Sequence, residues 1–177
     1  MDVMRTGTSM LGNLEPEGDF ENQLDSINRM IATMASIVTY WYKYSHEGVD
    51  ISLINDEDTI AGHFLHILHG KPPSELHKKV MDTSLILYAE HEFNASTFTA
   101  RVCASTMSDI FSCVVAAIGS LRGPLHGGAN EAAMDMIENW KTRDEAKSNI
   151  LSMLQNKEKI MGFGHAVYSE VDPRNAV

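Results

Sequence analysis

Two histidines of the sequence lie in glycine-containing stretches, and they are its strongest candidates for catalytic side chains. His126 lies in GPLHGGANE, residues 123–131, and His165 lies in GFGHAVY, residues 162–168. Because glycine carries no side chain, the backbone and a ligand can approach each other closely at both places. Both stretches are therefore candidate sites for a small molecule.

His126 is followed by apolar residues at helical spacing, which predicts a helix to about Trp140 with His126 just before or at its start. A helix start gathers unpaired N–H groups and the positive end of the helix dipole. That surrounding disfavours imidazolium, so His126 is predicted to be a neutral hydrogen-bond donor at pH 7. The same positive end would stabilise negative charge developing on a carbonyl oxygen.

The elements that position these histidines are predicted to be helices throughout. Apolar residues recur at helical spacing, and no segment shows the sustained two-residue alternation of a strand, so the fold is predicted to be all-α. Glycine and capping residues predict where helices stop and start. The predicted helix ends are Gly7, Gly48 and Gly70, and the predicted caps are Asn94 or Ser96 and Thr142.

Composition limits the classes of partner. The 177 residues are 44% hydrophobic and carry a formal net charge of −10, as expected for one acidic globular domain with a real core. Nucleic acids and anionic membranes select basic surfaces, so neither is predicted as a partner. No signal peptide and no apolar run long enough to cross a bilayer is seen, which predicts a soluble intracellular protein. Cys103 and Cys113 are predicted to be buried, reduced thiols.

A second group of histidines invites a metal-binding interpretation. His63, His66 and His69 recur at three-residue steps and would lie on neighbouring helix positions. No Cys, Asp or Glu nearby completes a usual ligand set, so partly buried, hydrogen-bonded histidines are the favoured interpretation. No metal is predicted.

Each candidate histidine also has an ordinary explanation, as a core histidine bonded to backbone beside a tight turn. The set together favours chemistry. His91, His126 and His165 each lie at a predicted helix break, and Arg174 follows an Asp-Pro pair. Neutral imidazoles and a guanidinium fork are what carbonyl activation beside a dicarboxylate needs.

The two histidine stretches, GPLHGGANE and GFGHAVYSEVDPR, resemble the two active-site signatures of the citrate synthase family. The resemblance covers essentially all 177 residues. The segments MDVMRTG, YWYKYSHEG, GHFLHILHG and LYAEHEFNASTFTARV most resemble its 2-methylcitrate synthase branch. The resemblance implies an all-helical homodimer with a large and a small domain and an active site in the cleft between them. It implies an acyltransferase that condenses propionyl-CoA with oxaloacetate and water, giving 2-methylcitrate and CoA without a permanently bound cofactor.

The resemblance also implies roles for individual residues. His126 would hydrogen-bond the thioester carbonyl and stabilise its enol, and His165 would polarise the oxaloacetate carbonyl and protonate the new alkoxide. His91 and Arg174 would hold oxaloacetate, Arg174 through a carboxylate. The positions that match the loop contacting CoA are Gly162, Phe163 and Gly164.

Length is the main departure from the family pattern, whose chains run further at both ends and include the segment with the carboxylate base. Residues 1–177 are therefore predicted to be incomplete at both ends, with residues from about 74 to 177 mostly small-domain material. The chain alone is predicted to be inactive, and a non-catalytic helical domain is one alternative. The other is a citrate synthase that uses acetyl-CoA. The implied location is the cytoplasm, or the mitochondrial matrix in a eukaryote.

Overall fold

The computed structural model describes residues 1–18, 23–89, 91–164 and 168–177. Within these ranges the chain forms helices and no strand, which confirms the all-α prediction. The helices are α1 (Asp2–Leu14), α2 (Gln23–Tyr42), α3 (Ile60–His69), α4 (Glu75–Ala89), α5 (Ala95–Ala104), α6 (Ile110–Leu121), α7 (Gly128–Glu138) and α8 (Arg143–Gln155). A π-helical turn, Lys43–Glu47, continues α2, and a 3-10 helix, Pro173–Ala176, lies near the C-terminal end.

The chain divides into two compact units, residues 1–120 and residues 121–177. In the first unit α2 packs against α1 and α3, and α3 packs against α4. Burial of apolar surface is the main force that holds such helices together. Among the residues that the structure describes, the buried apolar side chains are Met30, Ala35, Ala61, Ile67, Phe111 and Cys113. The predicted assignment of residues from about 74 to 177 to one domain stays a prediction.

The prediction that a helix ends at Gly7 is wrong, because α1 continues through Gly7 to Leu14. A Cβ at Gly7 would lie 2.7 Å from Cδ1 of Ile37 on α2. A Cβ at Gly12 would lie 3.1 Å from Cβ of Phe111 on α6. Both glycines therefore allow neighbouring helices to approach α1 closely, and neither stops it.

The predicted helix ends at Gly70 and Gly48 are confirmed, and the start of α3 has a cap that was not predicted. The Thr59 hydroxyl accepts a hydrogen bond from the Gly62 amide at 2.9 Å and so caps the start of α3. Gly70 ends α3 with φ +67°, and Gly48 ends the π-helical turn with φ +66°. These are left-handed conformations that glycine adopts without steric cost.

The start of α5 is capped as predicted, since Asn94 Oδ1 accepts a hydrogen bond from the Thr97 amide at 3.0 Å. The start of α6 has two acidic partners. Asp109 Oδ1 accepts from the Ser112 amide at 2.9 Å, and Glu17 Oε2 accepts from the Ile110 amide at 2.8 Å. The hydrogen bonds from Ser112 lower the pKa of Asp109.

The second unit contains α7, α8 and the 3-10 helix. Thr142 caps α8 as predicted, with its hydroxyl accepting from the Glu145 amide at 3.2 Å. The Glu145 carboxylate in turn accepts from the Lys141 amide at 2.9 Å, so the first turn of α8 is bonded in both directions. None of the helices in the described ranges is long and apolar enough to cross a membrane.

Candidate active site

A tight turn between α6 and α7 holds His126. The His126 amide donates to the Gly123 carbonyl at 2.9 Å, and the Gly127 amide donates to the Leu121 carbonyl at 3.0 Å. The His126 side chain is half-buried, and α7 begins two residues later at Gly128. The predicted position of His126, just before a helix start, is confirmed.

The two glycines after His126 have different functions. A Cβ at Gly127 would collide with the Leu121 carbonyl oxygen, which is the acceptor of the Gly127 amide. A Cβ at Gly128 would meet nothing closer than the Gly123 carbonyl oxygen at 3.6 Å, an ordinary contact. The turn that carries His126 therefore needs glycine at position 127 and tolerates a side chain at position 128.

The first N–H groups of α7 donate hydrogen bonds to carbonyl groups of the turn that holds His126. The Ala129 amide donates to the His126 carbonyl at 3.3 Å, and the Gly128 amide donates to the Gly123 carbonyl at 3.4 Å. Glu131 lies in the first turn of α7, where a carboxylate complements the positive end of the helix dipole. The histidine thus lies beside the electropositive end of α7, as the sequence predicts. The neutral state of its imidazole at pH 7 stays a prediction.

The second glycine stretch packs against the same helix. Gly162 adopts φ +85°, and a Cβ placed there would lie 3.4 Å from Cβ of Ala133 on α7. Gly164 adopts φ +82°, and no described atom lies within 4 Å of the position that its Cβ would occupy. Phe163 between them is 71% exposed. His165, the second predicted catalytic histidine, lies outside the described residues.

Arg174 forms an ion pair with a carboxylate two residues earlier in the chain. Its Nη2 lies 2.6 Å from Asp172 Oδ2, and its Nε lies 3.0 Å from Oδ1 and 3.2 Å from Oδ2. The two side chains are 31% and 30% exposed. The guanidinium therefore binds a carboxylate in the way predicted for substrate, but the carboxylate is the chain's own. The predicted contact of Arg174 with oxaloacetate stays a prediction.

His91 belongs to the first unit and lies between α4 and α5, half-buried. The next residue, Glu92, has φ +54°, a left-handed conformation that breaks the helical path there. Phe93 lies in the same break, and the centre of its ring is 4.8 Å from the guanidinium of Arg101 on α5. The prediction that His91 lies at a helix break is confirmed, whereas its contact with substrate stays a prediction.

The three histidines of α3 differ in their surroundings. His63 Nε2 lies 2.9 Å from Ser36 Oγ, and its Nδ1 lies 3.1 Å from Asn55 Nδ2. This confirms the hydrogen-bonded interpretation for His63, whose two nitrogens are both engaged. His66 is half-buried. His69 is exposed, so the prediction that it is partly buried is wrong. No group of three or more potential metal ligands is found within the described ranges.

The first unit also contains a polar cluster, whose members are Glu57, His66 and Lys78. Glu57, whose side chain is 10% exposed, contacts Lys78 Nζ at 3.1 Å and lies 3.5 Å from His66 Nδ1. These residues line a cleft of about 630 Å³ in the first unit. A Cβ at Gly62 would lie 2.6 Å from Glu57 Oε2, so glycine makes room for the carboxylate. The hydrogen bond that Lys78 donates to Glu57 raises the pKa of Lys78. None of the predicted catalytic or substrate-binding residues lines this cleft.

The chain matches the family described as citrate synthase, C-terminal domain, over residues 1–177. It is 64% identical over 177 residues to a 2-methylcitrate synthase from Shewanella oneidensis, covering 100% of this chain and 47% of that protein. It is 45% identical over 180 residues to a citrate synthase from Deinococcus radiodurans, covering 100% of this chain and 48% of that protein.

A solved structure gives the same relationship. The citrate synthase of Thermoplasma acidophilum, in a ternary complex with carboxymethyl coenzyme A and oxaloacetate, matches with a TM-score of 0.84 and 31% identity. The match covers 98% of this chain and 46% of that chain. The all-helical fold is thus that of a solved citrate synthase. The chain belongs to the citrate synthase family, and it spans about half the length of the relatives it matches.

Asp172 is the residue at this site that sequence reasoning missed. From the sequence, the Arg174 guanidinium was expected either to be solvated or, by the family resemblance, to bind a carboxylate of the substrate, and no carboxylate of the chain was named as its partner. The Asp-Pro-Arg order itself carries a signal that would have revealed the pair. An Asp before a proline is a common helix cap, and a cap holds its carboxylate within reach of the residue two positions later.

Proposed function

We propose that this chain is part of an enzyme that condenses propionyl-CoA with oxaloacetate and water to give 2-methylcitrate and CoA. The observation that carries the proposal is the similarity along the whole chain to a 2-methylcitrate synthase, well above that to a citrate synthase. The solved relative that binds carboxymethyl coenzyme A and oxaloacetate supports the same pair of substrate types. No permanently bound cofactor takes part.

In the proposed reaction His126 donates a hydrogen bond to the thioester carbonyl oxygen of propionyl-CoA. Removal of an α-proton places negative charge on that oxygen, where a donor beside the positive end of α7 stabilises it. The support is the half-buried position of His126 two residues before α7. The resulting enol carbon attacks the ketone carbon of oxaloacetate and forms the new C–C bond.

The other site residues act on oxaloacetate and CoA. We assign to His165 the polarisation of the ketone and the protonation of the alkoxide that the attack generates. His91 and Arg174 hold oxaloacetate, Arg174 through a carboxylate. Water then cleaves the thioester, giving the free carboxylic acid and the thiol of CoA. The exposed loop at Gly162, Phe163 and Gly164 contacts CoA.

We further propose that the 177-residue chain does not turn over by itself. Within the sequence no carboxylate occupies the family position of the base that removes the α-proton, and loss of a general base costs about 10²–10⁴ in rate. The active form is a longer chain that supplies this base and associates as a cytoplasmic homodimer. Thiol release by the 177-residue chain at the rate of the longer protein would contradict this.

A citrate synthase that uses acetyl-CoA is the second candidate, and the similarity to citrate synthases over the entire chain favours it. The two substrates differ by one methylene, which a hydrophobic pocket discriminates by only about 1–3 kcal/mol, or 10–200-fold. The test is kcat/KM for each acyl-CoA with saturating oxaloacetate, followed by thiol release. The proposal expects a higher value for propionyl-CoA, whereas a tenfold preference for acetyl-CoA would establish the second candidate.

A further inference from the structure

The Asp172 carboxylate has two distinct roles in the 3-10 helix, Pro173–Ala176. Its Oδ1 accepts a hydrogen bond from the Arg174 amide at 3.0 Å, which caps the first turn. Its two oxygens also contact Nε and Nη2 of the Arg174 guanidinium at 2.6–3.2 Å. The first role needs only an oxygen acceptor, whereas the second needs a negative charge and two oxygens.

Three consecutive residues encode this arrangement. Asp172 is the cap, and Pro173 at the first position of the turn has a fixed φ and no N–H left to satisfy. Arg174 follows with its backbone and its side chain bonded to the same carboxylate. The pair is therefore a local feature of residues 172–174, and about two thirds of each side chain is shielded from solvent.

We propose that Asp172 is a positioning residue, which fixes the Arg174 guanidinium in the orientation that receives a carboxylate of oxaloacetate. This inference rests on the proposed function, because that function makes Arg174 a ligand of the substrate.

The physical reason is the flexibility of arginine. A guanidinium on a long side chain loses rotamer freedom when it binds a ligand, and that loss weakens binding. Asp172 removes this freedom before substrate arrives and fixes the plane of the guanidinium. It contacts the edge formed by Nε and Nη2, and a guanidinium can bind a second carboxylate through the edge formed by its two Nη atoms.

The test is Asp172→Asn in the full-length protein. Asparagine keeps the oxygen that caps the Arg174 amide but removes the charge, so the turn is retained and the ion pair is lost. We expect KM for oxaloacetate to rise by about 10-fold, within the roughly 100-fold that misplacement of a substrate-holding group can produce. We expect kcat and KM for the acyl-CoA to stay within about twofold, and the melting temperature to be unchanged.

Glu15→Gln is the matched control. It removes another arginine–carboxylate pair, in which Arg29 Nε lies 2.5 Å from Glu15 Oε2, from a surface in the first unit. All kinetic constants should remain at wild-type values. An unchanged KM for oxaloacetate in Asp172→Asn would overturn the proposal and leave Asp172 a cap only. A lowered KM would overturn it too, because Asp172 would then compete with substrate for Arg174.

Calorimetric titration of oxaloacetate into wild-type and Asp172→Asn protein separates this inference from the proposed function. Oxaloacetate binding needs no acyl-CoA, so it is measurable even if no thiol is released. Absence of thiol release refutes the proposed function alone if oxaloacetate still binds about 10-fold more weakly to the variant. Equal affinity for the two proteins, or no binding to wild type, refutes the positioning role.

Discussion

Replacement of Gly127 by alanine tests whether the turn that holds His126 requires a residue without a side chain at position 127. The Gly127 backbone has φ −68° and ψ −19°, values that suit alanine, so the change carries no torsional cost. The cost is steric, because the new Cβ would collide with the Leu121 carbonyl oxygen. The same oxygen accepts the Gly127 amide at 3.0 Å, so the turn must open and weaken this hydrogen bond.

The magnitude follows from three terms. Forcing a methyl group into filled space costs about 1–3 kcal/mol. Loss of the hydrogen bond costs about 0.5–1.5 kcal/mol. Alanine restricts the unfolded chain more than glycine does, which offsets about 0.4–1 kcal/mol. The expected net loss in the free energy of unfolding is about 2 kcal/mol.

Urea unfolding followed by Trp140 fluorescence measures this loss. The chain has two tryptophans, and Trp41 is 48% exposed, so Trp41→Phe leaves Trp140 as the one reporter. Trp140 lies just beyond the end of α7 and is half-buried, so its signal reports on the second unit. At an m value of about 1–2 kcal/mol/M the midpoint should fall by roughly 1–2 M.

Gly128→Ala is the matched control, since its Cβ meets only an ordinary contact at 3.6 Å and it lies at the start of a helix. It should stabilise the unit by about 0.4–1 kcal/mol. Adjacent glycines should thus respond with opposite signs. Free energies of unfolding within about 0.5 kcal/mol of each other for the two variants would refute the steric argument.

Two further predictions concern the first unit. Lys78→Gln should lower the urea midpoint because it removes the cation next to the largely buried Glu57 carboxylate, whereas Glu75→Gln should leave it unchanged, since Glu75 contacts the same Lys78 but is 91% exposed. Equal midpoints for the two variants would contradict this. Burial, and next the adjacent Cys103 thiol, raise the pKa of Cys113 from 9.0 to about 11. The unfolded thiol then ionises before the folded one, so this contribution to stability is complete below pH 9 and is lost as pH rises toward 11. Urea midpoints measured from pH 8 to 11 should fall less steeply in Cys113→Ala than in wild type, and parallel profiles would refute the assignment.

Helix boundaries that depend on neighbouring residues were predictable from the sequence. Thr59 and Thr142 bond to amides three residues away, and Gly70 supplies a left-handed conformation at its own position. Such signals need no knowledge of the rest of the fold. The position of His126 before α7 was predictable for the same reason, since the helical period begins directly after it.

The glycines of α1 show where this reasoning fails. Gly7 looks like a helix stop in the sequence, but its neighbour in space is Ile37, thirty residues away along the chain. Likewise Gly12 meets Phe111 of α6. A glycine used for close helix packing and a glycine used to end a helix have the same local sequence signal, and only tertiary contacts distinguish them.

The sequence allowed the types of the candidate site residues to be predicted, but not the residues that they contact within the chain. Arg174 was recognised as a guanidinium suited to a carboxylate, but the carboxylate that it binds here, Asp172, was not anticipated. The cap and the ion pair share one side chain, and a motif analysis that assigns one role to each residue overlooks the second.

We propose that this chain belongs to an enzyme that condenses propionyl-CoA with oxaloacetate, and that His126 donates a hydrogen bond to the thioester carbonyl. The most direct test is thiol release from propionyl-CoA by the full-length protein, with and without oxaloacetate, in wild type and in His126→Gln. We expect thiol release that requires oxaloacetate and falls by about 10²–10³-fold in the variant, the usual effect of losing one donor to a developing oxyanion. Thiol release that is independent of oxaloacetate, or that is undiminished in His126→Gln, would contradict this proposal.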